Sequence, residues 1–367
     1  MAAMESPATP PYRRDVALDG LRTLAVLLMI SSHTTRLIVW DARREWSRLS
    51  LLIEPLTASL FLMLVGASLT YSWRGARARG LERGVWLRKQ AMRALALWAA
   101  SCLFYSLDDG FRLPDAVTMS GILATIAYAI LVCSLLVSRT RPLPFLALAL
   151  AGLMALDIGM DKTDTRVFIL NAGNSPLLPL LTFACLGALA AVALEARRGG
   201  RFLPAALVAC ALLTMGLILW RYSFQEVFSK PMGRYETARS FIVGSGDAIR
   251  EKRIPYYNLR PILFPVIASL TVLLYAALAL FRPWLERSAR FLFPIGRHSL
   301  DVYILHLFLL ALLVLRGGKR PLSETWQGDA VLLAVTGLCY AWALGRDRFS
   351  YRGLFAGVRA RFRGPVA

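Results

Sequence analysis

Long apolar stretches, each closed by a few polar residues, recur from residue 17 to residue 345 of the 367-residue chain. They lie at 17–38, 50–73, 86–107, 118–138, 143–159, 176–195, 203–222, 261–281, 298–315 and 329–345. A bilayer core about 30 Å thick takes about 20 apolar residues in helical form, so most of these runs have the length of a crossing. The run 143–159 is short, and only "SRTRPLP" divides it from its predecessor. The pattern predicts an all-α fold, a polytopic membrane helical bundle of about ten transmembrane helices. A chain of 367 residues could hold two domains. Every polar stretch except about 220–260 is a short loop, however, so one integral-membrane domain over 1–367 is expected.

Charge orients the bundle. Arg74, Arg77, Arg79, Arg83, Arg88 and Lys89 follow the second run. Arg139 and Arg141, then Arg197, Arg198 and Arg201, then Arg282, Arg287, Arg290 and Arg297 mark alternate loops further on. Between them lie acidic or mixed loops such as "DDGFRLPD" and "DIGMDKTDTR". The positive-inside rule then makes 1–15 and 346–367 cytoplasmic tails and 223–258 an external loop. That loop carries Tyr235, Tyr256 and Tyr257 and reads equally well as a substrate cover or a plain connector.

Composition excludes some classes. The apolar fraction is 57%, and the net charge of +20 is spread over short loops beside apolar runs. That distribution serves topology and leaves no nucleic-acid-binding surface. Five cysteines stand singly inside apolar runs without metal-ligand spacing, so no metal is expected. The first run is too long for a signal-peptide core and is read as a retained span. These features describe a multi-pass cell-membrane protein of the bacterial inner-membrane kind.

Within this apolar background a few polar residues are out of place. In "LDGLRTLAVLLMISSH", helical spacing puts Arg22, Val26, Met29 and His33 on one face, and Asp19 and Arg36 extend the stripe. From Asp19 to His33 is about 21 Å of helix, most of a bilayer core. Ionisable groups at that depth face a bundle interior or a wet cavity. In "GRHSLDVYILHLFLL", Ser299, Tyr303 and His306 share a face and Asp301 points elsewhere. They serve either to line a cavity or to hydrogen-bond between helices. The basic stretch "SWRGARARGLERGVWLRKQAMR" is largely explained by topology, yet Arg88 and Arg93 reach into the third run. Forked guanidinium donors there suit phosphates. No Walker motif is present.

Taken together, these segments resemble a known group. "RRDVALDGLRTLAVLLMISSH" resembles the first span of integral-membrane acyltransferases, and "FLMLVGASLTYSW" is similar to their second. "GILATIAYAILVCSLL" and "NSPLLPLLTFACLGALAAV" look like the heparan-α-glucosaminide N-acetyltransferase catalytic-domain family in particular. "GRHSLDVYILHLFLL" resembles the Ser-Leu-x-x-Tyr-x-x-His segment of the wider group. The resemblance implies a bundle that moves an acetyl or other acyl group from cytoplasmic acyl-CoA, its donor substrate, to a glycan or other envelope acceptor outside. It makes His33 the first-span catalytic histidine, Asp19 and Arg22 its flanking pair, and His306 the second histidine. Arg77, Arg79, Arg83, Arg88 and Arg93 would hold the phosphates of acetyl-CoA or another acyl-CoA. Ser299 and Tyr303, or Arg22, would contact substrate and the developing oxyanion. Thr23 departs from the group, where a glycine is common, and "PLLPLL" lacks an expected Trp. A large lumenal or periplasmic domain is also missing. These departures bear on the subfamily and acceptor rather than the chemistry. Besides donor and acceptor, membrane lipid is the expected partner, and the chain is open to homo-oligomerisation.

Acyl transfer from a thioester needs a base or a nucleophile, and a neutral imidazole can be either. The competing reading is a non-enzymatic transporter or export partner whose polar stripe lines a path. Mirrored halves would favour it, but 17–190 and 200–345 show no convincing repeat. A family member with only a structural role is the third reading.

Overall fold

The computed structural model describes residues 15–38, 43–109, 121–163, 170, 176–196, 202–221, 263–317 and 325–348. The expected external loop 223–258 lies outside them, as do nearly all of both expected tails. Regular structure among the described residues is helical throughout. In chain order the helices are α1 (Val16–Ile38), α2 (Arg43–Ala78), α3 (Arg83–Asp109) and α4 (Ile122–Val137). Then follow α5 (Pro142–Lys162), α6 (Leu177–Ala196), α7 (Phe202–Arg221) and α8 (Leu263–Leu280). The last four are α9 (Arg282–Leu292), α10 (Pro294–Arg297), α11 (Ser299–Gly317) and α12 (Thr325–Arg348).

Each of the ten apolar runs falls on one helix, and α9 and α10 are additional. Among the described residues, five helices are long and apolar enough to cross a membrane alone, or six if α8 and α9 form one bent span. Length, charge and a break set three segments apart from these. Ile122–Val137 has 16 residues, about 24 Å of helix against a core of about 30 Å. The first turns of α3 carry Arg83, Arg88 and Lys89, which interrupt its apolar window. At Phe281 the chain breaks, and α8 and α9 meet at 77°.

The helices group into two compact units. One holds Asp15 and residues 55–276, the other residues 16–54 and 277 onward. In the first, α2 ends in a Schellman motif. Gly80 takes φ 70°, its N–H reaches the Arg77 carbonyl at 2.9 Å, and the Leu81 N–H reaches that of Ala76 at 3.0 Å. Glycine adopts this left-handed conformation without a Cβ penalty, and the two bonds satisfy carbonyls that a helix end leaves open. The turn hands the chain directly to α3, where the Trp86 indole N–H donates to Ser72 at 3.3 Å.

Packing in this unit relies on missing side chains. A Cβ on Gly66 would strike the Ala184 carbonyl, and one on Gly187 would strike the Met63 carbonyl. The backbones of α2 and α6 therefore touch. Lipid offers little hydrophobic drive between helices, so close approach through small residues is what holds them. Thr70 adds a bond from its hydroxyl to the Ala188 carbonyl at 3.4 Å.

In the second unit α1 packs against α9, α10, α11 and α12. Gly20 admits Leu278 and Phe293, which a Cβ there would meet at 3.1 and 3.3 Å. On the same helix Leu21, Ala25, Val26 and Ile30 are fully buried.

Gly66→Val and Gly187→Val should each destabilise the protein by at least the roughly 1–3 kcal/mol of an overpacked core. Gly152→Ala, whose Cβ would meet nothing within 4 Å, should be neutral or slightly stabilising. Size-exclusion recovery after graded heating in detergent checks the ranking. Indistinguishable midpoints for all three would remove the backbone contact as the determinant.

Candidate active site

The site is built at the start of the second unit's last apolar helices. Pro294 opens α10, a position where its missing N–H costs nothing. His298 leaves helical geometry at φ −114° and ψ 31°, and α11 restarts with the Val302 N–H on the His298 carbonyl at 2.9 Å. Further along α11 Tyr303 and His306, three residues apart, turn inward, exposed by only 1% and 0%. That pair occupies the face on which the sequence pattern placed them.

His306 meets His33 of α1. The His33 Nδ1 and His306 Nε2 atoms are 2.9 Å apart. The rings are nearly coplanar, 15° apart, with centroids at 5.2 Å. That separation exceeds the nitrogen–nitrogen distance by little more than two ring radii. The contact is therefore an in-line hydrogen bond and not a face-to-face stack. Tyr303 closes the other side, its ring edge-on to His306 at 5.1 Å and 73°.

One neighbour fixes the direction of the bond. His306 Nδ1 lies 3.3 Å from the Val302 carbonyl. A carbonyl only accepts, so Nδ1 must carry the hydrogen and Nε2 the lone pair. His33 Nδ1–H then donates to that lone pair, and His33 Nε2 becomes the unprotonated nitrogen. A backbone carbonyl thus sets the tautomers of both rings.

Asp19 and Arg22 are not brought to the imidazoles. They form an ion pair with each other at 2.6 Å, three residues apart. Arg22 precedes His33 by eleven residues, about 16 Å of helix rise, and side chains tilt toward the N-terminus, further from it. Sharing a face did not mean sharing a height. Ser299 is half-buried and stands seven residues before His306, about 10 Å along α11. Asp301 points away from the pair and binds Arg346 of α12 at 2.9 Å.

The five arginines expected to hold a donor are in the other unit. Arg77, Arg79, Arg83, Arg88 and Arg93 are all exposed along the α2–α3 corner and the first half of α3. Arg83 bonds Ser138 at 3.0 Å. Sequence reasoning missed three participants in the second unit: the Val302 carbonyl, Thr23 and Gly296. Thr23 bonds the Gly296 N–H at 3.0 Å. Only the unexpected Thr23 left a trace in the sequence.

The fold and this paired-histidine centre fit a membrane acyltransferase. The profile of the acyltransferase-3 family, an acyltransferase domain, matches residues 15–346, and the chain belongs to that family. It is in general terms a multi-pass membrane acyltransferase. A comparison with curated proteins found no match.

The ion pair yields a stability prediction. Arg22→Met should destabilise the protein by leaving the 6%-exposed Asp19 carboxylate without its arginine. Arg22 keeps 20% exposure, so the cost falls below the roughly 3–5 kcal/mol of a fully buried pair. Asp19→Asn with Arg22→Met should recover most of it. Thermal midpoints of the two single variants and the double variant measure the coupling, and strict additivity would deny it.

Proposed function

We propose that the chain transfers an acetyl or other acyl group from cytoplasmic acyl-CoA to a hydroxyl or amine of an extracytoplasmic glycan or other envelope acceptor. The observation that carries this reading is the in-line His33–His306 hydrogen bond with the Val302 carbonyl behind it. His33 Nε2 removes the proton as the acceptor's oxygen or nitrogen attacks the thioester carbonyl. The new bond to the acyl carbon forms, the carbon–sulfur bond breaks, and the leaving thiolate takes the proton from His33. While His33 carries charge, its Nδ1–H bond to His306 is charge-assisted and strengthens. His306 orients the base in the way a third group orients a catalytic histidine.

The likeness of 121–136 and 174–192 to the heparan-α-glucosaminide family is why an amine stands beside a hydroxyl among the acceptors. The donor's phosphates are assigned to Arg77, Arg79, Arg83, Arg88 and Arg93, whose exposure and forked donors suit a multiply charged group.

Purified protein incubated with labelled acetyl-CoA tests the centre. His33→Ala should lower turnover by about 10²–10⁴-fold, the usual worth of a positioned general base. His306→Ala should be severely impaired and Cys133→Ala close to wild type, with all three variants folded. Near-normal turnover in His33→Ala would sink the assignment.

The donor site has its own test. Reversing Arg88 and Arg93 to Glu should raise KM for acyl-CoA with a smaller change in kcat, as for lost ground-state binding. Added salt should weaken donor binding more in the wild type than in that variant. Unchanged donor affinity and salt response would leave these arginines a role in topology alone.

A further inference from the structure

Among the contacts of α1 with the α10–α11 segment are two hydrogen bonds that each join residues 273 positions apart in the chain. One is the imidazole bond between His33 and His306. The other lies lower, where the Gly296 N–H donates to Thr23 Oγ1 at 3.0 Å and the Thr23 hydroxyl donates to the Asp19 carbonyl at 2.9 Å. From Thr23 to His33 is ten residues, and from Gly296 to His306 is also ten. On the α1 side that is about 15 Å of continuous helix, and on the other the ten residues cross the break at His298. The two contacts pair rising residue numbers with rising ones, so the two segments run in the same direction.

We infer that Thr23 and Gly296 form a register clamp: positioning residues that set the height at which His33 and His306 meet. The physical grounds are three. Phe293, the residue that caps α10, makes no side-chain cap bond, yet the first amides of a helix need acceptors. Thr23 supplies one from another helix, as a threonine at the cap would supply it locally. Gly296 permits the approach, since a Cβ there would strike both the Asp19 carbonyl and Thr23 Oγ1. Both residues are buried, Thr23 at 8% exposure, so water does not offer a substitute partner. A slip of one residue between the helices would shift the imidazoles by about 1.5 Å and turn one ring by about 100°. The 2.9 Å bond does not survive that displacement. The clamp matters for catalysis only if the imidazole pair is the reacting centre, as proposed above.

The chain has three histidines, so protein labelled with ¹⁵N-histidine gives a simple imidazole spectrum. The wild type should show nitrogen–nitrogen coupling across the His33–His306 bond. Thr23→Val, which keeps the shape but removes the hydroxyl, should lose that coupling while remaining monodisperse in detergent. Its kcat should fall by roughly 10–100-fold, the scale of a misplacement near 1 Å, with KM for acyl-CoA unchanged. Thr23→Ser should retain both coupling and turnover. Coupling that persists in folded Thr23→Val overturns the clamp. Coupling lost with turnover intact upholds the clamp and overturns the catalytic role of the pair. If Thr23→Val does not fold, Thr23→Ala removes the same hydroxyl with less bulk and is judged by the same signal.

Discussion

The hydrogen bond between His33 and His306 is directional, and its direction is what makes the pair asymmetric. Two neutral imidazoles can share one hydrogen either way. Here the Val302 carbonyl removes the choice by requiring a hydrogen on His306 Nδ1. An added proton at His306 Nε2 would set two N–H groups against each other. One at His33 Nε2 leaves the bond from His33 Nδ1–H to His306 in place and strengthens it. In the proposed reaction the buried ring is the acceptor behind the base. Both are supplied by helices whose positions are fixed by contacts well away from the rings.

Those contacts follow from the solvent. In hydrocarbon a polar backbone group has no water to fall back on, so each must find a partner within the protein. Apolar side chains gain little by leaving lipid for one another. Both units answer with backbone contact. Gly66 and Gly187 let two helix backbones touch in one; in the other Gly296 meets the Asp19 carbonyl, while Gly20 makes room for the Leu278 and Phe293 side chains. In the second case the contact also satisfies an amide, which turns a packing feature into a register.

The long apolar runs were legible because membrane helices advertise themselves by composition over about twenty residues. The break into α9 and α10 was not. "FRPWLERSARFLFPIGRH" is short, basic and rich in Pro, and it reads as an orienting loop, although it folds into two helices. His33 and His306 stood out singly as ionisable groups in apolar runs, and their association came through family resemblance and not spacing. Helical spacing put Arg22 on the His33 face. Helical periodicity carries no information about height, and its partner proved to be Asp19. Thr23 and Gly296 meet through a hydroxyl and a backbone amide, and a contact of that kind leaves no periodic signal.

Parallel helices bring like ends of their dipoles together, and the base of the second unit shows how this is offset. Asp19 lies in the first turn of α1 and Asp301 in the first turn of α11, where a carboxylate favourably meets the positive helix end. Each carboxylate is in turn matched by a guanidinium, Arg22 at 2.6 Å and Arg346 at 2.9 Å. Arg346 also lies over the Trp342 ring at 5.3 Å, which gives its charge an aromatic face. Formal charge is thereby gathered and balanced at the helix starts. Higher up, the imidazole pair has Tyr303 beside it and the Val302 carbonyl behind it. A proton arriving at His33 is then the only new charge at that level among these groups. The bond to His306 stabilises it there.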